Sequence, residues 1–247
     1  KELFPHVDFG IQTNLVYKLT EKRRRFFNKI FLPSSFGTSW DYDIRFSSVS
    51  RKSEERNKRL WEDNVQTLVQ DGHNMTMIVS MTKKLIEEKD PIEIVHYAER
   101  LGFNYILFER VTMDGNAKAN DTLFPSNLQQ DKWLSLMWDQ TIEDKAYERI
   151  GNMLLSEIAT AVVNNQHVAN RCRMCEQSLI TVNADGSLAG CPNTAPKNYW
   201  GHVDWPIKDS LRSEKRMHTI TCEQQRNPIC YTCPAFSVCN GDCHQLA

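Results

Sequence analysis

The chain has 247 residues, 40% hydrophobic and 25% charged, enough for one large or two modest domains, each with a core of its own. Thirty Lys and Arg against 31 Asp and Glu leave a net charge of −1, so no global field draws in nucleic acid or a membrane surface. No run of 18 apolar residues and no charged-then-apolar leader is present, which excludes a spanning helix and makes the cytoplasm the expected location.

Residues 8–14 predict a short buried strand ending in polar Thr13 and Asn14. From Thr20 a basic amphipathic helix is expected, with Phe26, Phe27, Ile30 and Phe31 as its apolar stripe. The run Lys22-Arg23-Arg24-Arg25 reads as its solvated face rather than as a phosphate site. Residues 35–39 predict a second strand, followed by the polar cluster Ser39, Asp41, Asp43 and Arg45. A helix over about 53–71 would bury Trp61, Val65, Leu68 and Val69 and end at Gly72. Residues 74–81 are apolar on both faces, as suits a parallel strand buried on both sides.

The next helix is capped by Asp90, opened by Pro91 and closed by Gly102, with Glu93 completing an Asp-x-x-Glu box and Ile92, Val95 and Leu101 pointing inward. Residues 103–108 predict a fourth strand ending in Glu109 and Arg110. A loop over 112–130 follows, with Asp114-Gly115 as a turn and Pro125 as a breaker. Two helices then bridge to the tail, one carrying Trp133, Leu136 and Met137, the other running from about Asp144 to Asn164 with Ile150, Leu154, Ile158 and Val162.

Strands and helices alternating at this spacing imply right-handed βαβ units and a parallel sheet. Four strands cannot close an eight-stranded barrel, so the sheet is either open or one part of a barrel. In both cases ligands bind beyond the carboxyl ends of the strands. That rule selects Thr13, Asn14, Ser39, Asp41, Glu109 and Arg110 as site-facing candidates.

All eight cysteines lie between Cys172 and Cys243, and the first 171 residues contain none. Disulfides suit small secreted domains and are disfavoured beside a large conventional body, which leaves two tetrathiolate zinc sites or two iron–sulfur clusters. The first pattern is Cys172-x2-Cys175, then Gly186-x4-Cys191, with Asp185-Gly186 as a two-residue hairpin signal that returns Cys191 beside the first pair. The second is Cys230-x2-Cys233-x5-Cys239-x3-Cys243, with Cys222 upstream.

These spacings resemble the SPASM domain of radical SAM enzymes, whose pattern is C-x(9–15)-G-x4-C, a gap, then C-x2-C-x5-C-x3-C. The body then resembles the later strands of a radical SAM partial (β/α) barrel. Gln12-Thr13-Asn14-Leu15 is similar to the third-strand T-N-G motif, with Leu15 where glycine is usual, and Gly37-Thr38-Ser39-Trp40-Asp41 to the fourth-strand segment ending in S-x-D. Leu101-Gly102 and Asp114-Gly115-Asn116-Ala117 are similar to the sixth-strand region. The expected fold is α/β: a partial barrel over 1–130, bridging helices over 131–170 and a small Cys-rich cluster domain over 171–247. Two family motifs are absent, the C-x3-C-x2-C that holds the SAM-cleaving cluster and the second-strand G-G-E-P. Together with a start at Lys1, this suggests a stretch that begins at the third strand, whose edge over residues 8–14 would aggregate or pair with another segment.

The resemblance implies one auxiliary 4Fe-4S cluster on Cys172, Cys175, Cys191 and Cys243. A second would use Cys230, Cys233 and Cys239, with Cys222 or a residue further downstream as fourth ligand. It also implies S-adenosylmethionine as cofactor, met by Ser39 and Asp41 with Thr13 and Asn14 nearby, while Glu109 and Arg110 face cofactor or substrate. The implied activity is radical modification of a substrate, a peptide or protein in preference to a small molecule, with a flavodoxin or ferredoxin as electron donor. In the sulfatase-maturing branch an Asp follows the G-x4-C cysteine; Pro192 stands there, which disfavours that activity. The alternatives are a non-catalytic zinc-stabilised peptide-binding module on the same cysteines and a degenerate homologue kept as an adaptor.

Overall fold

Five parallel strands in unbroken chain order organise the first half of the protein. They belong to a computed structural model that describes residues 5–32, 35–46, 50–112, 117, 120–168 and 173–241; Asp114, Gly115, Asn116, Cys172, Cys243 and His244 lie outside them. The chain forms two compact units, residues 1–111 with 120–156, and residues 112–119 with 157–247.

In the first unit the strands are β1 (Ile11–Gln12), β2 (Ser35–Trp40), β3 (Asn74–Met81), β4 (Tyr105–Arg110) and β5 (Gly151–Asn152). They pair in the order β1-β2-β3-β4-β5, every pair parallel. Helices α1 (Glu21–Phe31), α2 (Arg51–Gln70), α3 (Lys83–Glu88), α4 (Pro91–Leu101) and α5 (Asn127–Glu143) fill the connections. Sequential order with right-handed crossovers keeps the helices on one face, the arrangement of a barrel segment; a doubly wound sheet would reverse its order.

Strand alternation assigns the faces. Phe36, Thr38 and Trp40 of β2, Met75, Met77, Val79 and Met81 of β3, and Ile106 and Phe108 of β4 are buried toward the helices. Each fully buried large side chain there contributes roughly 1.5–3 kcal/mol. Trp61 of α2 anchors that layer: it is fully buried, stacks on Phe103 and donates its Nε1 hydrogen to Thr38 Oγ1 at 3.0 Å. The opposite face carries Gln12, Gly37, Ser39, Thr76, Ile78, Ser80, Leu107 and Glu109.

Several local expectations are corrected. β1 is only two residues long, Ile11 opposite Phe36 and Gln12 opposite Gly37. Phe26 is 54% exposed, and Leu136 also leaves the core. The Asp90 carboxylate caps Ile92 N–H rather than closing a box with Glu93. The stretch 144–164 is not one helix. Lys145 takes a left-handed φ of +53°, a 3₁₀ turn follows over Ala146–Glu148, then β5 and α6 (Met153–Asn164). Ile150 is buried as part of the sheet core, and Gly151 passes so close that a Cβ would come 2.5 Å from the Tyr105 ring. Val162 is exposed, and Leu155 takes the buried position expected of Leu154.

The second unit is built from short elements: α7 (Cys175–Ser178), the antiparallel strands β6 (Thr181–Val182), β7 (Ser187–Ala189) and β8 (Gly201–His202), then α8 (Ile207–Leu211), α9 (Glu214–Gln224), a 3₁₀ turn (Pro228–Thr232) and α10 (Phe236–Cys239). The β6–β7 hairpin is present, but its loop has three residues, not two. Asn183 N–H pairs with Ser187 O, Gly186 N–H bonds to Asn183 O, and Gly186 alone has positive φ, +86°. That is a type I turn with a glycine bulge.

Candidate functional site

At the carboxyl edge of the parallel sheet the loop after β1 holds Thr13 and Asn14. Thr13 N–H continues the ladder to Gly37 O, and its hydroxyl meets Tyr17 Oη at 3.1 Å. Asn14 is exposed and accepts from Val16 N–H at 3.1 Å. Leu15 follows at φ +52°, the left-handed conformation in which glycine is at ease, yet its side chain is fully buried. Asn64 of α2 holds this turn, donating both amide hydrogens, to Leu15 O at 2.8 Å and Tyr17 O at 2.7 Å.

Ser39 lies on the open face beside Gln12, whose Nε2 approaches its Oγ at 3.4 Å. Asp41 is buried, and its Oδ2 accepts from Arg45 Nη2 at 2.6 Å. Its Oδ1 is also buried and has no hydrogen-bond partner among the described residues. Glu109, on the same face and exposed at the surface, has its carboxyl raised above the ordinary range first by partial desolvation among its neighbours and then by the negative charge of Asp41. Arg110, one residue on, falls by alternation on the Phe108 face. The structure thus brings Ser39, Asp41 and Glu109 to one face and separates Arg110 from them.

A cleft of about 610 Å³ opens elsewhere on this unit, lined in part by Trp40, Tyr42, Lys84, Lys89 and Tyr97. Its polar groups are already engaged. Tyr42 donates to Glu88 and Tyr97 to Glu62, while lysines and Arg100 lie over the two rings. The basic run of α1 is likewise committed, Arg24 to Asp71 and Arg23 to the face of Tyr17.

The second unit carries the cysteines. Cys175, Cys191, Cys222, Cys230, Cys233 and Cys239 lie among the described residues. Cys175 opens α7 and Cys191 follows β7 after Gly190. Cys230 and Cys233 close one turn, Cys233 N–H bonding to Cys230 O at 3.1 Å, and Cys239 ends α10. Cys222 is exposed on α9 with its sulfur 3.5 Å from His218 Nε2. Among the described residues no three His, Cys, Asp or Glu side chains converge as a metal site; Cys172 and Cys243 are not part of that set. The donor set itself is rich in cysteine sulfur, which fits iron–sulfur or zinc chemistry.

Buried polar side chains tie these segments together. Arg173, buried with φ +49°, donates to Glu223 O at 3.3 Å, Gln225 O at 2.5 Å and Gly241 O at 2.6 Å. It therefore brings the chain between Cys172 and Cys175 against the chain two residues before Cys243. Arg226 donates to Asn240 Oδ1 at 2.9 Å, and burial together with the nearby Arg173 charge lowers its pKa.

No family model and no curated protein matches the sequence. Solved structures do. Native anSMEcpe with bound AdoMet matches over 96% of this chain and 65% of its own, with TM-score 0.72 and 17% identity. The same protein with bound AdoMet and a peptide gives TM-score 0.70 at 16% identity, covering 96% of this chain and 66% of that one. Streptococcus suis SuiB bound to precursor peptide SuiA gives 0.61 at 13% identity over 96% and 54%. The chain shares the fold of these structures.

The chain spans between 54% and 66% of the lengths of these structures. The parallel sheet and the cysteine unit both fall within the matched stretch, and the sheet is consistent with part of a barrel. No helix among the described residues is long and apolar enough to cross a membrane. The residues that sequence reasoning missed are Asn64, Arg173, Glu176 and Glu223. Asn64 had a visible signal, a polar residue on the buried stripe of α2 between Trp61 and Val65. The two glutamates each stand directly after a cysteine, as Cys175-Glu176 and Cys222-Glu223.

Proposed function

We propose that this chain is part of a radical SAM/SPASM enzyme that modifies a peptide or protein substrate. The observation that carries the reading is the match of fold over 96% of the chain to AdoMet-bound structures, two of them also holding a peptide, and to SuiB bound to its precursor peptide SuiA. Bound S-adenosylmethionine would supply a 5′-deoxyadenosyl radical to abstract a substrate hydrogen. The C-x3-C-x2-C motif that serves this cleavage in the family is not among these 247 residues.

The chain's own contribution is binding and positioning. Ser39 and the unpartnered Oδ1 of Asp41 offer polar contacts to the cofactor, with Asp41 held in place by Arg45. Thr13 and Asn14 sit on the braced turn beside them, and Glu109 is a carboxyl on the same face; Arg110 can serve only at the rim. Cys172, Cys175, Cys191 and Cys243 would hold one auxiliary 4Fe-4S cluster. Cys230, Cys233 and Cys239 would hold the second, with Cys222 as the fourth donor available among the described residues. A flavodoxin or ferredoxin would deliver the electron, in the cytoplasm.

The test is iron, zinc and acid-labile sulfide on anaerobically purified full-length protein. About eight irons and eight sulfides on these cysteines, four per cube, support the reading. Cys233→Ser should then lose about half of that contribution. Two zincs without sulfide would replace it with a structural tail. Asp41→Ala should weaken S-adenosylmethionine binding, and an unchanged affinity removes Asp41 from the cofactor site.

A further inference from the structure

Two glutamates of the cysteine unit have no part in the function proposed above, yet they are among the most deeply buried polar side chains: Glu176 is 1% exposed and Glu223 is 0%. Glu223 Oε1 accepts Cys175 N–H at 2.8 Å, and its Oε2 accepts Glu176 N–H at 3.0 Å. Glu176 Oε1 accepts Cys191 N–H at 3.3 Å and the Thr194 hydroxyl at 3.1 Å. Each carboxylate follows one cysteine in sequence and grips the amide of another in space. Gly190 marks the same design: a Cβ there would come 2.6 Å from Glu176 Cα, so the residue before Cys191 has no side chain where Glu176 passes.

Burying a carboxylate is costly, several kcal/mol before its hydrogen bonds offset it. Packing alone would be served better by leucine or methionine. We propose that Glu176 and Glu223 are positioning residues that hold the first auxiliary cluster at low reduction potential, an inference resting on Cys175 and Cys191 being its ligands. Hydrogen bonds to cluster sulfurs and local charge set the potential of such centres. Amide hydrogens donated to sulfur favour the reduced, more negative state. Here the amides of both cysteines are spent on carboxylate oxygens, and the carboxylates add negative charge beside the sulfurs. Both effects disfavour the reduced cluster. Arg173, which binds the backbone carbonyls of Glu223 and Gly241, places a cation nearby but is common to wild type and variants.

The experiment is a redox titration followed by electron paramagnetic resonance on anaerobic full-length protein, comparing wild type with Glu176→Gln, Glu223→Gln and the double variant. The expected result is retained iron and sulfide, one cluster moved to a more positive midpoint in each single variant and further in the double, and the other clusters unmoved. Full iron content with unmoved midpoints overturns the proposal alone. Zinc without sulfide in the wild type overturns it together with the cluster assignment. Glu223→Asp keeps the charge and covers the case in which a glutamine variant fails to load iron. A wild-type-like midpoint for it supports the proposal, and a positive shift in it as large as that of Glu176→Gln refutes it.

Discussion

Replacing Asn64 by alanine tests the support of the candidate cofactor edge. Its amide donates to Leu15 O at 2.8 Å and Tyr17 O at 2.7 Å, tying the turn to α2. Leu15 is held at φ +52°, a conformation costing an L-residue about 1–2 kcal/mol, and burial of its side chain returns roughly 1.5–3 kcal/mol. Alanine at 64 forfeits two hydrogen bonds, about 0.5–1.5 kcal/mol each, and leaves the buried Leu15 carbonyl unsatisfied. A loss of roughly 2–4 kcal/mol follows from these terms. Urea denaturation should show it as a lower midpoint at unchanged slope. S-adenosylmethionine affinity of the full-length protein should fall beyond what the unfolded fraction explains, because Thr13 and Asn14 precede the turn. A stability change within about 0.5 kcal/mol, the range of an ordinary surface substitution, would refute the reasoning. Leu15→Gly, although it relieves the backbone, should still destabilise, since leucine truncation in a core costs about 2–5 kcal/mol.

Histidine 73 should make the first unit acid-sensitive. Asn28 donates to Asp71 and so turns its oxygen to His73 Nε2 at 2.8 Å, leaving Nδ1 buried without a partner among the described residues. Burial lowers the His73 pKa, so its stabilising contribution is present above the ordinary histidine value of 6.5 and is lost as pH falls through the lowered one. Urea midpoints should drop on acidification, with a shallower slope in His73→Gln; parallel slopes would exclude His73 as the source. Glu109 has the opposite sign. Its raised pKa means stability is lost as pH rises through it, so Glu109→Gln should raise the urea midpoint at neutral pH and converge with wild type in acid. Gly190→Ala should destabilise the second unit by about 1–3 kcal/mol, as overpacking against backbone does, and limited proteolysis near Cys191 should read it; wild-type resistance would show that Glu176 can give way.

The alternation of strands and helices, the caps at Asp90 and Gly102 and the cysteine spacing were legible because each depends on residues a few positions apart. The stretch 144–164 was misread for the complementary reason. Its apolar spacing suits a helix, but Gly151 and Asn152 find a strand partner in Tyr105 and Ile106, more than forty residues earlier. The choice between an open sheet and a barrel segment was also beyond local pattern, since it rests on which strands are neighbours.

By itself, then, the sequence determined the kinds of elements, the polar residues at strand ends and a thiolate donor set, because propensity, periodicity and ligand spacing are local. Tertiary structure decided which of those residues share a face: Ser39, Asp41 and Glu109 together, Arg110 apart. It also decided that Asn64, Arg173, Glu176 and Glu223 matter. Their partners lie 15 to 68 positions away, and a buried amide, guanidinium or carboxylate acquires its role only from the groups that folding brings to it.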